Sequence, residues 1–209
     1  MSDDSNCQRR VRPLYDWEIA EARKVFGDSL HYDRVRLHEC ATWTDAIDRL
    51  GRWLKKLPPP GPREHNAVTL GYHCHFPVNL PDQLVPPDGS LAYCMPWLIH
   101  ELTHAWQYQH TGWTYILRAL SAQFRYGSAA YDFGGEANLV KCRQDHWTIK
   151  NFNPEQQGEI ARYYYSCQRP TNAIDEPNKQ NVLSAYKPYI SDIQEMASAA
   201  HLKSQSAER

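Results

Sequence analysis

Residues 96–109 constrain the whole chain. Proline suits a first helical position and Gly112 supplies a stop, so the segment reads as one delimited helix. Leu98, Ile99, Leu102, Ala105 and Trp106 recur at spacings that bury it, and among them stands His100-Glu101-Leu102-Thr103-His104. A buried helix does not accept two imidazoles and a carboxylate without partners. Two histidines four residues apart differ by about 40° around a helix axis and about 6 Å along it, so both rings can converge on one ion. Glu101, next to the first histidine, can hold a water beside that ion from the side, the general-base arrangement of a metal-dependent hydrolase.

A catalytic metal site of this kind needs a third protein ligand and one open position. His110 stands where the extended pattern H-E-x-x-H-x-x-G-x-x-H puts its third histidine, but the position that pattern gives to a turning glycine is Gln107 here. On a continuous helix His110 would lie about 120° and about 9 Å from His104, out of reach. Glu136, in Gly134-Gly135-Glu136-Ala137-Asn138, opens a short helix and is a second candidate. Glu155 is better placed. It starts Glu155-Gln156-Gln157-Gly158-Glu159 on a helix capped by Asn153 with Pro154 in its first turn, and Glu159 is one turn later on the same face. A ligating glutamate followed at i+4 by an acid that fixes a histidine tautomer is the pattern of glutamate zincins. Gly158 between the two acids permits close helix approach.

The rest of the chain reads as one domain of 209 residues with a core that needs no disulfide staples. Net charge is −1, which excludes a strong field for nucleic acid or anionic membrane. No apolar run approaches the ~18–20 residues of a membrane span. Six scattered cysteines form no C-x-x-C pair and read mostly as buried free thiols. Residues 1–12 read as a disordered lead with a solvated basic cluster, Arg9, Arg10 and Arg12. Residues 13–195 form the folded domain and 196–209 a flexible tail. Helices are expected at 14–26 (stopped by Gly27), 44–54, 114–125, 135–143, from Asn153-Pro154 to 167, and around Tyr189, Ile190, Ile193 and Met196. Strands are expected within 30–38 and over 67–76. Pro58 to Pro62 makes a surface loop, and Pro77 to Gly89 a long irregular connection.

Three stretches carry a family likeness: Ile99 to Gln109, Ala130 to Gly135, and Phe152 to Ile160, supported by Val25-Phe26-Gly27-Asp28. Together they resemble the zinc-metallopeptidase-like domains attached to, or encoded beside, bacterial VgrG and Rhs proteins. The likeness spans roughly residues 13–195. It implies an α+β fold, mainly helical and zincin-like, with a small β-sheet and the H-E-x-x-H helix. It implies Zn²⁺ on His100, His104 and Glu155, a VgrG/Rhs-type spike carrier, and a cognate immunity protein. It further implies a type VI secretion effector, made in the cytoplasm and acting in the periplasm of a rival cell. Such export is compatible with the polar start Met1 to Cys7, which lacks a signal peptide's apolar stretch.

The expected reaction is hydrolysis of a protein or peptide substrate, with zinc acidifying water and Glu101 moving its proton. Tyr131, His146 and Tyr164 are candidate donors to the oxyanion, Tyr131 being preferred. By the same likeness, residues 70–75 form the strand edge that receives substrate backbone, with His73 and His75 on one face as a candidate second metal site. Two other readings stand beside this one: a non-proteolytic zinc module on a secretion spike, and a housekeeping metallopeptidase.

Overall fold

A computed structural model describes residues 7–46, 66–83, 91–115, 127–168 and 176–207. The predicted helix 44–54 beyond Ala46, the loop from Pro58 to Pro62, the connection beyond Gln83 and the predicted helix 114–125 beyond Tyr115 lie outside these residues. The described chain is α+β and mostly helical. It contains β1 (Arg10–Arg12), α1 (Asp16–Phe26), β2 (Arg36–Glu39), β3 (Val68–Leu70), β4 (His73–His75), α2 (Leu91–Thr111), α3 (Gly135–Gln144), α4 (Pro154–Gln168) and α5 (Glu176–Ala207).

The sheet runs β1-β2-β4-β3, with β2 and β4 parallel and the other two pairs antiparallel. Two strand expectations need correction. The stretch read as one strand over 67–76 is a tight hairpin, because Gly71 takes φ +66 and lets Gly71-Tyr72 reverse the chain. Residues 30–38 contribute a short 3₁₀ turn, Tyr32–Arg34, before β2 begins at Arg36. The expected receptor edge is therefore divided. β4 is inside the sheet, and β3 is the terminal strand among the described residues.

α2 lies between the hairpin on one side and α4 on the other, and α1 also touches it. That position explains why residues 98–107 are buried on every face rather than along one stripe. Pro96 sits five residues inside α2 rather than at its start, while Gly112 does end it, at φ +63. α5 is longer than the stripe that announced it. Tyr189, Ile190 and Ile193 are buried as expected, Tyr186 joins them, and Tyr189 Oη donates to the Leu139 carbonyl at 2.7 Å.

The basic cluster near the N-terminus is not solvated at Arg10 and Arg12. Arg12 Nε donates to Glu39 at 2.8 Å and its Nη1 to Glu18 at 2.7 Å, while Arg10 Nε meets Glu39 at 2.7 Å. Glu18, at 0% exposure, also accepts from the Tyr15 amide at the start of α1. One guanidinium thus ties β1, β2 and α1 together. Cys7 and Cys40 form a disulfide, which staples the segment before β1 to the end of β2, while Cys74, Cys94, Cys142 and Cys167 remain thiols, as most were expected to be. Replacing Arg12 with Ala leaves Glu18 and Glu39 buried beside one cation fewer. It should lower stability by about 3–5 kcal/mol, seen as a lower urea midpoint with an unchanged m-value.

Candidate metal centre

α2 and α4 meet where each carries its polar residues. Gly158 of α4 faces His100 so closely that a Cβ there would lie 2.7 Å from the ring's Cε1. Only a glycine lets the helix backbone come this near the imidazole. The contact brings Glu155, one turn earlier on α4, up to both histidines of α2. Its Oε2 is 3.3 Å from His100 Nε2 and 3.6 Å from His104 Nε2. One donor atom from each of His100, His104 and Glu155 lies within 4.8 Å of the others, and all three residues are buried.

The remaining ring nitrogens are also engaged. His100 Nδ1 donates to Glu159 Oε1 at 3.0 Å, and Glu159 is held in turn by Arg162 at 2.6 Å. His104 Nδ1 donates to Gln107 Oε1 at 2.9 Å. Gln107 then donates to the Pro154 carbonyl at 2.9 Å and to Gln157 Oε1 at 2.8 Å, so it links the two helices. Both Nε2 atoms thereby face Glu155, and each would offer a lone pair there once deprotonated. Neutral imidazoles oriented by outer partners, plus a carboxylate, form a donor set that suits a divalent transition metal.

The three groups also share charge with one another. Burial alone would push the basicity of His100 down, but Glu155 and Glu159, aided by Glu101, raise its pKa to about 10. Burial likewise opposes a charged His104, and Glu155 overrides it and raises the pKa. Burial opposes a charged Glu155 too, yet the two histidines hold its carboxyl well below the usual range. A divalent cation held here would replace this imidazolium charge, so its uptake should release protons and weaken at lower pH.

Glu101 is buried beside the group, and Thr69 Oγ1 of β3 donates to its Oε2 at 2.7 Å. The hairpin thus fixes the carboxylate next to His100. The alternatives for the third position are elsewhere. His110 Nε2 donates to the Ser29 carbonyl at 3.1 Å, and Glu136 accepts from Tyr186 Oη at 2.9 Å. Tyr131 is half-buried with its ring centroid 6.1 Å from that of His100. Tyr164 is half-buried on α4, and His146 is exposed in the turn after α3 with φ +62. His73 and His75 do share a face with His38, whose Nε2 is 2.8 Å from His73 Nδ1. These three imidazoles do not converge as the α2–α4 group does, which is the one metal-type cluster found among the described residues.

Sequence reading missed Thr69 and Gln107. Thr69 looked like an ordinary β-former, and nothing local tied it to Glu101. Gln107 did leave a signal, since it fills the glycine position of the longer histidine pattern and sits one turn after His104.

No protein-family model matches the chain, and no solved structure matches it. Over 154 residues it is 29% identical to the type VI secretion system spike protein VgrG2b of Pseudomonas aeruginosa. The match covers 74% of this chain and spans 13% of the length of that spike protein.

Two outcomes test the centre. Gly158→Ala should cost about 1–3 kcal/mol of stability through overpacking against His100. By moving His100 it should also weaken any uptake of a divalent metal at this group, measured by competition with a chromophoric chelator. The metal-free protein should depend on pH in the opposite sense to acid denaturation. His100 is raised from 6.5 to about 10 on folding, so its contribution is complete below about pH 6.5 and is lost as pH rises toward 10. Melting temperatures of chelator-treated protein should fall across that window, and Glu159→Gln should flatten the fall.

Proposed function

We propose that this chain is a zinc-dependent peptidase domain of zincin type, carried by a type VI secretion spike. The observation that carries the reading is the buried His100, His104 and Glu155 group with a fourth polar residue, Glu101, held beside it by a strand of the sheet. A metal ion bound only for structure has no use for that extra carboxylate. Zinc, which this donor set fits, would supply Lewis acidity enough to bring the pKa of water down toward about 7. Glu101 then takes the proton from the attacking water and gives it to the leaving nitrogen. Thr69 donates to Oε2 of that carboxylate and so leaves Oε1 as the proton acceptor. Glu159 and Gln107 keep the histidines in the tautomer that presents Nε2. Tyr131, with its ring near that of His100, is the donor assigned to the oxyanion.

The similarity to VgrG2b supports a secretion-system association and a spike carrier; a cognate immunity protein and a target outside the producing cell are part of the proposal itself. The Cys7–Cys40 disulfide supports an oxidising destination such as the periplasm, where such bonds persist. The substrate class is a protein of that compartment.

One observation favours a second reading, a closed zinc module without proteolysis. His100, Glu101, His104 and Glu155 are each between 3% and 8% exposed, which leaves little room for substrate as the chain stands. Glu101→Gln separates the two. Zinc stoichiometry should stay at that of the unaltered chain while cleavage of labelled casein falls by about 10²- to 10⁴-fold, and growth arrest on periplasmic targeting should disappear. A variant that keeps full toxicity refutes the peptidase reading.

A further inference from the structure

We infer that Tyr115 is a built-in competitor for the substrate backbone, its hydroxyl occupying the hydrogen-bonding groups on the free edge of β3 that a peptide must use. The inference rests on the peptidase reading and adds to it how the closed site admits a substrate. β3 is the outer strand among the described residues and the one beside Glu101. An extended peptide entering next to the metal helix would add to this edge through main-chain hydrogen bonds.

The edge is already filled. Tyr115 Oη donates to the Thr69 carbonyl at 2.8 Å and accepts from the Gly71 amide at 3.3 Å. A hydroxyl is both donor and acceptor, so one side chain satisfies the carbonyl of one residue and the amide two residues on. Those are the groups that an added strand would bond with its own backbone. Tyr115 is 4% exposed, and its ring stacks on His104 with centroids 6.1 Å apart and planes 23° from parallel. The side chain therefore bridges from a candidate ligand to the receptor edge.

Its placement follows from the end of α2. Gly112 takes φ +63 and closes the helix by donating to the Tyr108 carbonyl at 2.8 Å. The chain turns there, and Tyr115 reaches back to β3. Thr69 joins the two functions, since its side chain holds Glu101 while its carbonyl is held by Tyr115. Among the described residues β3 pairs with a strand on one side only, and in the free protein the tyrosine partners backbone groups on its other side. With substrate present, the peptide has to displace it.

The test uses the zinc-loaded chain and its Tyr115→Phe variant, which keeps the ring on His104 and loses only the hydroxyl. Two probes are titrated by calorimetry: acetohydroxamate, which reaches the metal alone, and acetyl-trialanyl hydroxamate, whose backbone extends along the edge. The tripeptide probe should bind the variant about 5- to 30-fold more tightly, the effect of one to two ordinary hydrogen bonds no longer opposed. Acetohydroxamate should bind both proteins equally. Amide exchange at Gly71 should be faster in the free variant than in the free wild type, and slow again when the tripeptide probe saturates it. Equal tripeptide affinities alongside intact acetohydroxamate binding would overturn the role of Tyr115 and spare the metal centre. Unchanged Gly71 exchange would overturn it as well. If neither protein takes up acetohydroxamate, the peptidase reading fails and this inference fails with it.

Discussion

Glu155 stands between two imidazoles in a place almost without water, and the chain is arranged to make that tolerable. Each buried ionisable group there must have its partners, because an unpaired one costs several kcal/mol. Glu159 and Gln107 take the outer nitrogens, Arg162 takes Glu159, and Thr69 takes Glu101. The partners come from α2, α4 and β3, so the packing of these elements and the ordering of the site are one event. A residue with a Cβ at 158 would hold the helices apart and leave the carboxylate out of reach.

The N-terminal ion network serves the same end from farther away. Arg12 fixes β1 against β2 and α1, and β2 pairs in parallel with β4, which carries β3 on its other edge. The strand that holds Glu101 is thus anchored through the sheet to the first helix. Buried pairs of this sort contribute geometry more than net stability, since desolvation offsets most of their attraction. Their use here is to set where a short hairpin lies. Tyr115 partners the Thr69 carbonyl and the Gly71 amide on that hairpin's outer side, which among the described residues pairs with no further strand.

Much of the centre can be read along the chain because its main parts are local. His100, Glu101 and His104 follow from a four-residue spacing on a helix whose limits are marked. Glu155, Gly158 and Glu159 follow from a second capped helix with one acid a turn from the other. What could not be read is what depends on contact between segments distant in sequence. The bond from Thr69 to Glu101 crosses 32 positions, and that from Tyr115 to Thr69 crosses 46. Arg10 and Arg12 looked solvated because Glu39 is far away along the chain, though it is adjacent across the strands. The hairpin was hidden inside a run of β-formers, where one glycine's left-handed backbone reversed the chain without disturbing the apolar pattern.

The amino-acid order by itself determined the helical periods, the caps and which polar residues would have to be buried, since these depend on neighbours within a turn or two. The tertiary structure alone decided how near Glu155 comes to the histidines, which ring nitrogen faces it and what occupies the strand edge beside them. Those depend on distances of about 3 Å between segments that only packing brings together, and no local spacing encodes such a distance.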